Sequence, residues 1–293
     1  MKQTLLFAVL IGLLLVGCQH PADVELQLEQ NTTELEILPI VRPDTLLVTN
    51  AVDSTAVLPS DQMSYVGQFV VNKVTLDAGP GKVDSFAYAR VFVSDSTVRF
   101  LFRQVGYNGI DLGAVLLNGL AMAKVPHQIA VRSLLLRDTV LTRGVEYLGD
   151  LSHTYEHSVP YTWSAPSTSS GALSVSILTP DRLNVLSPRG GGVFSREKDL
   201  LLWWRGGGGQ LQIIISIFEP LAKKSIPILE LRSRVNTGKA LLPASVLRQF
   251  PRTSFYVFTF ILSNRKEMGF IQAQAGRVLV QAATVYNSYI ELR

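Results

Sequence analysis

The sequence contains one cysteine, Cys18, among its 293 residues. A lone cysteine excludes any disulfide within the chain. Histidine is also scarce, with four residues in all, and charged residues make up only 17% of the chain. The folded part must therefore be stabilised by burial of apolar side chains, which domains of about 100 residues or more can achieve without cross-links.

The sequence also lacks the short motifs of several enzyme classes. No Gly-x-Ser-x-Gly elbow is present, so the corresponding serine hydrolase chemistry is not indicated. The glycine runs Gly190 to Gly192 and Gly206 to Gly209 lack the spacing and the Lys-Ser/Thr ending of a phosphate-binding loop. We predict that the second run forms a hairpin loop, because glycine accepts turn conformations at little cost. Hydrolysis by a pair of catalytic carboxylates stays open as an alternative, since the two residues need not be neighbours in sequence.

The first eighteen residues have a composition of their own. Lys2 precedes an apolar run over residues 4–16, and this run ends at Leu15-Val16-Gly17-Cys18. The run is too short to span a bilayer comfortably, and the small residue before the cysteine fits a cleaved signal sequence. The segment resembles the lipobox signal peptide of bacterial lipoproteins, a resemblance carried by residues 1–18.

That resemblance implies a lipid anchor on Cys18. In such proteins the cysteine side chain receives a diacylglycerol, and several acyl chains on one residue give stable membrane attachment. Gln19 follows the cysteine, at a position where lipoproteins retained in the inner membrane of enterobacteria typically carry Asp. By this resemblance the expected location is the outer membrane, with the protein facing the periplasm or the cell surface.

Charge divides the rest of the chain into three parts. Residues 19–62 carry eight acidic residues against Arg42, a net charge of −7. Residues 63–180 are near neutral at +1, and residues 181–293 carry +9. We predict a flexible acidic tether over residues 19–62 and two domains, over residues 63–180 and 181–293. The basic second domain favours anionic partners, but the export signal disfavours nucleic acid.

Strand patterns run from Tyr65 to the end of the chain. Short apolar segments alternate with turn residues, and Asn118-Gly119 predicts a tight hairpin turn. About eight candidate strands before Pro180 and about seven after it indicate an all-β fold of two β-sandwich domains. The second domain resembles immunoglobulin-like (Ig-like) and fibronectin-type modules, and the segment from Pro243 to Phe250 predicts one short helix.

The candidate binding residues lie in the second domain. Trp203 and Trp204 are neighbours on a predicted strand, so one indole faces the core and the other faces outward. We take Trp204 as the outward indole, and Arg205, Lys223 and Lys224 as cations that attract an anionic ligand. The alternative is that the aromatic residues belong to the core and that the cations form a solvated rim.

One short motif matches a metal-binding pattern. The segment from His153 to His157 fits H-x-x-E-H, in which two His residues one helical turn apart bind zinc and Glu156 acts as the base. Gly149 and Pro160 flank the segment, and no later helix supplies a third ligand. We therefore prefer a polar surface loop. His153 and His157 stay weak metal candidates, and no cofactor is predicted.

Together these observations predict a lipid-anchored, non-enzymatic protein of the cell envelope with a structural or protein-binding role. Two alternatives stay open: a glycan- or polysaccharide-binding module of the envelope, and a metal-dependent hydrolase that uses the H-x-x-E-H segment. The predicted partners are the membrane, through the lipid on Cys18, and envelope proteins or anionic polysaccharide.

Overall fold

The computed structural model describes residues 35–40, 65–100, 103–131, 139–168, 171–207, 209–219, 224–233, 236–251, 255–270 and 276–293. Within these ranges the protein is nearly all β, with several sheets and no helix of seven or more residues. This confirms the predicted all-β, sandwich-like fold. The predicted signal peptide and most of the predicted tether lie outside the described residues.

The described ranges contain eighteen strands and one short helix. Before the predicted boundary the strands are β1 (Leu35–Pro39), β2 (Gly67–Asp77), β3 (Val83–Phe100), β4 (Arg103–Gly109), β5 (Leu116–Leu117), β6 (Leu120–Ala121), β7 (Ala123–Val131), β8 (Thr139–Asp150), β9 (Pro160–Thr168) and β10 (Gly171–Leu178). After it they are β11 (Asn184–Ser187), β12 (Val193–Phe194), β13 (Leu200–Arg205), β14 (Gln210–Glu219), β15 (Lys224–Ser233), β16 (Lys239–Leu242), β17 (Phe255–Phe270) and β18 (Gly276–Leu292). Helix α1 (Ala244–Leu247) lies between β16 and β17.

One large sheet runs through the whole molecule, and we call it the main sheet. Its strand order is β1-β15-β14-β17-β18-β2-β3-β4-β8-β7, and β12 pairs with β18 beside this path. Strand β18 is central: it pairs antiparallel with β17 and parallel with β2. The predicted boundary at residues 180 and 181 falls between β10 and β11, and the main sheet crosses it.

Two smaller sheets cover one face of the main sheet. The four-stranded sheet β10-β9-β5-β6 encloses a core around Trp163 and Phe69, and we call this half the first sandwich. The three-stranded sheet β11-β13-β16 encloses a core around Trp204 and Phe260, and we call this half the second sandwich. Strand β18 contributes to both cores. Val278, Val280 and Ala282 belong to the core of the first sandwich, and Tyr286, Ile290 and Leu292 belong to the core of the second. The two sandwiches therefore share a sheet.

Two local predictions agree with the structure. Asn118 and Gly119 form the turn between β5 and β6, with φ of 48° and 81°, as expected for a tight hairpin. Pro243 directly precedes α1 with φ of −65°, and the backbone N–H of Ala244 donates to Asp199 Oδ1 at 2.8 Å. The Asn-Gly dipeptide and the proline are local signals, which is why the sequence predicts both features, whereas the bond from Ala244 to Asp199 joins residues far apart in the chain.

The second glycine run is not a hairpin loop. Its flanking strands β13 and β14 belong to different sheets, so the run carries the chain from one layer of the second sandwich to the other. Gly206 has φ of 146°, and a Cβ atom there would lie 2.9 Å from the carbonyl oxygen of Arg182. Gly208 lies outside the described residues. The hairpin prediction is wrong because alternation identifies strands but not their pairing partners.

Candidate functional site

Strand β13 alternates strictly between buried and exposed positions. Leu200, Leu202 and Trp204 are buried, while the residues between them face outward. Trp204 is 1% exposed and donates its indole N–H to Asn236 Oδ1 at 2.8 Å. Trp203 is 44% exposed. The predicted alternation is confirmed, but the choice of Trp204 as the outward indole is wrong, because Trp204 lies in the core.

A better signal was present in the sequence. Arg205 follows Trp203 by two residues, so the two side chains share one side of the strand. An arginine is rarely buried without a partner, which marks that side as the exposed one. Arg205 is exposed, as its role as a binding candidate requires.

The outer side of the three-stranded sheet forms a defined surface, which we call the tryptophan face. It consists of Leu201, Trp203 and Arg205 on β13 and Lys239 and Leu241 on β16, and the register places Leu201 opposite Leu241 and Trp203 opposite Lys239. Strands β11, β13 and β16 contain no Asp or Glu. No carboxylate among the described residues pairs with Arg205 or Lys239. The face is therefore apolar and cationic.

The other two predicted cations are not part of this surface. Lys223 lies outside the described residues. Lys224 is the first residue of β15, in the main sheet, where the strand register places its backbone opposite that of Glu219 in β14. Arg205 lies in the covering layer of the second sandwich, so the predicted binding residues do not form one cluster.

The H-x-x-E-H segment forms the loop between β8 and β9, and no helix is present there. His153 is exposed, whereas His157 is half-buried with Nδ1 3.3 Å from the carbonyl oxygen of Pro180. Burial lowers the pKa of His157. The one-turn helical spacing that zinc binding requires is therefore not formed. In the part of the chain that the structure describes, no group of three or more His, Cys, Asp or Glu residues could hold a metal ion.

The first glycine run binds a carboxylate of the protein itself. The backbone N–H of Gly190 donates to Asp77 Oδ2 at 3.1 Å, that of Gly79 donates to Oδ1 at 3.1 Å, and the Tyr286 hydroxyl also donates to Oδ2. A Cβ atom at Gly190 would lie 2.0 Å from the backbone oxygen of Asp77. Burial, together with the bond to Asp77, raises the pKa of Tyr286 to about 12. This loop is structural, and it ties β2 to the second sandwich.

A polar cleft of about 380 Å³ opens between β14, β15 and β17. Its lining residues are Gln210, Gln212, Arg232, Ser263, Arg265, Lys266 and Glu267. The register sets Gln212 opposite Arg232 and Gln210 opposite Ser263, so neighbouring strands bring amide, hydroxyl and cationic groups together. Sequence reasoning missed the cleft because its residues come from three strands whose pairing the sequence does not reveal.

The acids beside the cleft are held by neighbouring donors. Glu230 is 6% exposed and accepts hydrogen bonds from Gln212 Nε2 at 2.6 Å and from Arg232 Nε. Glu267 accepts from the Tyr65 hydroxyl and from Arg277 Nη1 at 3.2 Å, and the hydrogen bond from Tyr65 lowers its pKa. The lining includes three cations and one acid, of which Arg232 is paired with Glu230 and Lys266 Nζ donates to the carbonyl oxygen of Ser176. This excess of positive charge suits an anionic ligand with hydroxyl groups.

A second cluster of ionisable residues lies on β3, β7 and β8 of the main sheet. Arg90 Nε and Nη2 both lie 2.7 Å from Glu146 Oε2, and His127 Nδ1 lies 3.4 Å from the same oxygen. The His127 ring packs on Phe92 with centroids 4.3 Å apart and the ring planes tilted by 36°. Burial acts to raise the pKa of Glu146, but the bonds from His127 and Arg90 outweigh it and lower that pKa. The cluster is internally paired, as a structural ion cluster would be.

No protein-family model matches the chain, and no curated protein matches it in sequence. No helix among the described residues combines the length and the hydrophobicity needed to cross a bilayer.

Proposed function

We propose that this chain is a lipid-anchored protein of the bacterial cell envelope whose folded part binds a partner and catalyses no reaction. The observation that carries the proposal is the sequence Leu15-Val16-Gly17-Cys18 after a short apolar run. Cys18 is the proposed lipid attachment site, and Gln19 supports the outer membrane as the destination. Residues 19–62, with a net charge of −7, then connect the lipid on Cys18 to the fold.

Two further features support a binding role. The exposed tryptophan face and the polar cleft both lie in the basic part of the chain, residues 181–293, which has a net charge of +9. We also propose that this part is an Ig-like module, since its three-stranded sheet covers the main sheet around the buried Trp204. In sandwiches of this kind, function is determined by the residues on the surface and not by the fold.

The test of the anchor is metabolic labelling of expressing bacteria with an alkyne-bearing palmitate. The wild-type protein should carry the label and fractionate with the outer membrane, whereas Cys18→Ser should lose the label. Crosslinking in intact cells, with the same variant as control, should recover a protein partner that depends on the anchor. An unlabelled wild-type protein in the soluble fraction would contradict the proposal.

The polar cleft favours a second candidate function, the binding of an anionic polysaccharide. Its cations Arg265 and Lys266 lie beside amide and hydroxyl groups that can bond sugar hydroxyls. Affinity electrophoresis in gels that contain a uronic acid polymer should retard the wild-type protein, and Arg265→Ala with Lys266→Ala should move faster. Lys82→Ala with Arg143→Ala, at exposed positions of the first sandwich, is the matched control. Equal mobility of both double variants would exclude the cleft.

A further inference from the structure

The tryptophan face leaves neighbouring apolar side chains in contact with water. Trp203 and Leu201 are each 44% exposed, and Leu241 is 47% exposed. The register places Leu241 directly opposite Leu201, which is two residues from Trp203 on the same side of β13. Contiguous exposed apolar groups of this kind mark interaction sites in soluble domains.

The corresponding surface of the first sandwich shows how a solvated layer is built. On β9 and β10 four outward positions, Thr162, Ser164, Ser174 and Ser176, carry hydroxyl groups, and Leu178 at the end of β10 is a single exposed apolar side chain. Thr162 Oγ1 donates to Ser176 Oγ at 3.1 Å. Both layers cover the same main sheet, so the architecture does not require an apolar outer side. The residues of the tryptophan face therefore need another explanation.

We infer that the tryptophan face docks on a phospholipid surface with anionic headgroups. An indole combines an apolar ring with a polar N–H and is enriched at the boundary between lipid and water. Arg205 and Lys239 flank Trp203, and cations near an anionic membrane surface each strengthen attachment. The register places the hydrogen-bonding residues Lys239 and Ser187 opposite Trp203. The exposed Leu201 and Leu241 extend the apolar surface beyond the indole, which insertion among lipids uses and stacking on one sugar ring does not. The surface thus fits lipid better than glycan.

The inference rests on the proposed lipid anchor, which holds the second sandwich close to the membrane. Sixteen residues separate Cys18 from Leu35, where β1 begins, and a fully extended chain of this length reaches about 60 Å. Strand β1 pairs with β15 at one edge of the main sheet, and Ile37 packs against the core of the second sandwich. Tethering raises the effective concentration of the tryptophan face at the lipid surface.

The experiment measures contact between Trp203 and lipid. Lipidated protein is reconstituted into phosphatidylglycerol vesicles and, separately, phosphatidylcholine vesicles, each containing some brominated phosphatidylcholine, whose bromine quenches indole fluorescence at short range. Trp163 and Trp204 are 0% and 1% exposed and serve as internal references. On anionic vesicles we expect bromine to quench the fluorescence of Trp203, so that the emission lost equals the difference between the wild-type protein and Trp203→Phe. Trp203 should also be protected from quenching by aqueous iodide.

Charge variants test the role of the cations. Arg205→Gln with Lys239→Gln should lower the ratio of docked to undocked protein roughly fivefold for each charge removed, and so restore emission on anionic vesicles. Lys82→Gln with Arg143→Gln makes the same charge change at exposed positions of the first sandwich and should leave quenching unchanged.

The possible outcomes distinguish a failure of the docking inference from a failure of the proposed lipid anchor. Vesicle-bound protein whose Trp203 is quenched by iodide and not by bromine overturns the docking inference and assigns the face to a soluble partner, such as polysaccharide. Protein that lacks an acyl chain on Cys18 and does not sediment with vesicles overturns the proposed anchor instead.

Discussion

The two sandwiches place similar cores on one sheet but differ in how they treat their tryptophans. Trp163 packs edge-on against Phe69 with centroids 5.7 Å apart, and its indole N–H has no hydrogen-bond partner among the described residues. Trp204 packs on Phe260 and donates to Asn236. The outer sides differ as well, since most outward positions of β9 and β10 carry hydroxyl groups, whereas the tryptophan face covers the second sandwich. Because both cores are built around a tryptophan on the same sheet, the difference between the outer sides is not required by the fold, and we assign it to function.

Truncation of either buried tryptophan should have the largest effect. Trp163→Ala and Trp204→Ala each leave a large cavity, and each should lower the free energy of unfolding by about 3–5 kcal/mol. Urea unfolding followed by far-UV circular dichroism measures the loss. Because the main sheet belongs to both sandwiches, each variant should still unfold in one transition. A separate transition for one sandwich would show that the shared sheet does not couple them.

Removal of the Asp77 carboxylate tests the link between the sandwiches. Asp77→Asn places an N–H₂ group among three donors, from Gly79, Gly190 and Tyr286, and should cost about 2–3 kcal/mol. Hydrogen exchange should show faster opening at Gly190, in the second sandwich, although the substitution is in β2. Loss of protection confined to β2 and its neighbours in the first sandwich would contradict the link.

Conservative replacement of the two tryptophans sharpens the comparison. Trp204→Phe leaves the Asn236 side chain without its donor, whereas Trp163→Phe removes an N–H that has no described acceptor. The first variant should therefore be less stable than the second by about 1 kcal/mol. Parallel urea titrations measure the difference, and Trp204→Phe combined with Asn236→Ala should recover part of the loss. Equal stability of the two single variants would show that the hydrogen bond from Trp204 to Asn236 makes no net contribution to the free energy of unfolding.

The smallest expected effect is a loss of stability of the first sandwich in acid, through Glu146. The pKa of Glu146 lies below its ordinary value of 4.5, because His127 and Arg90 outweigh the opposing effect of burial. A carboxyl with a lower pKa in the folded state adds stability above pH 4.5, and that stability is lost as pH falls through the folded pKa. Stability measured over this range should fall less steeply for Glu146→Gln. An unchanged slope would contradict the pairing.

Local features of the fold could be read from the sequence. The Asn118-Gly119 turn, the α1 segment after Pro243 and the alternation in β13 each depend on residues close together in the chain. Alternation determines the relative orientation of Trp203 and Trp204, but their absolute orientation needs a further marker. Arg205 was that marker, since a charged side chain two residues away shares the side of Trp203.

Features made by distant strands could not be predicted in this way. Strands β2 and β18 come from opposite ends of the fold, and the parallel pairing of Val74 with Val285 leaves no local trace. The polar cleft depends on the same kind of pairing, because a shift of one residue would turn Gln212 or Arg232 to the other side of the sheet. Charge composition located the basic half but not the positions where its side chains meet.

The central place of β18 has a consequence for the kinetics of folding. Without β18 the main sheet separates into one part that ends at β17 and another that begins at β2. Neither core is complete without this strand, because both include residues of β18. Strand β18 also pairs with β2, which is distant in the chain, and folding around such long-range contacts is intrinsically slow. We therefore expect both cores to form in the same slow kinetic phase.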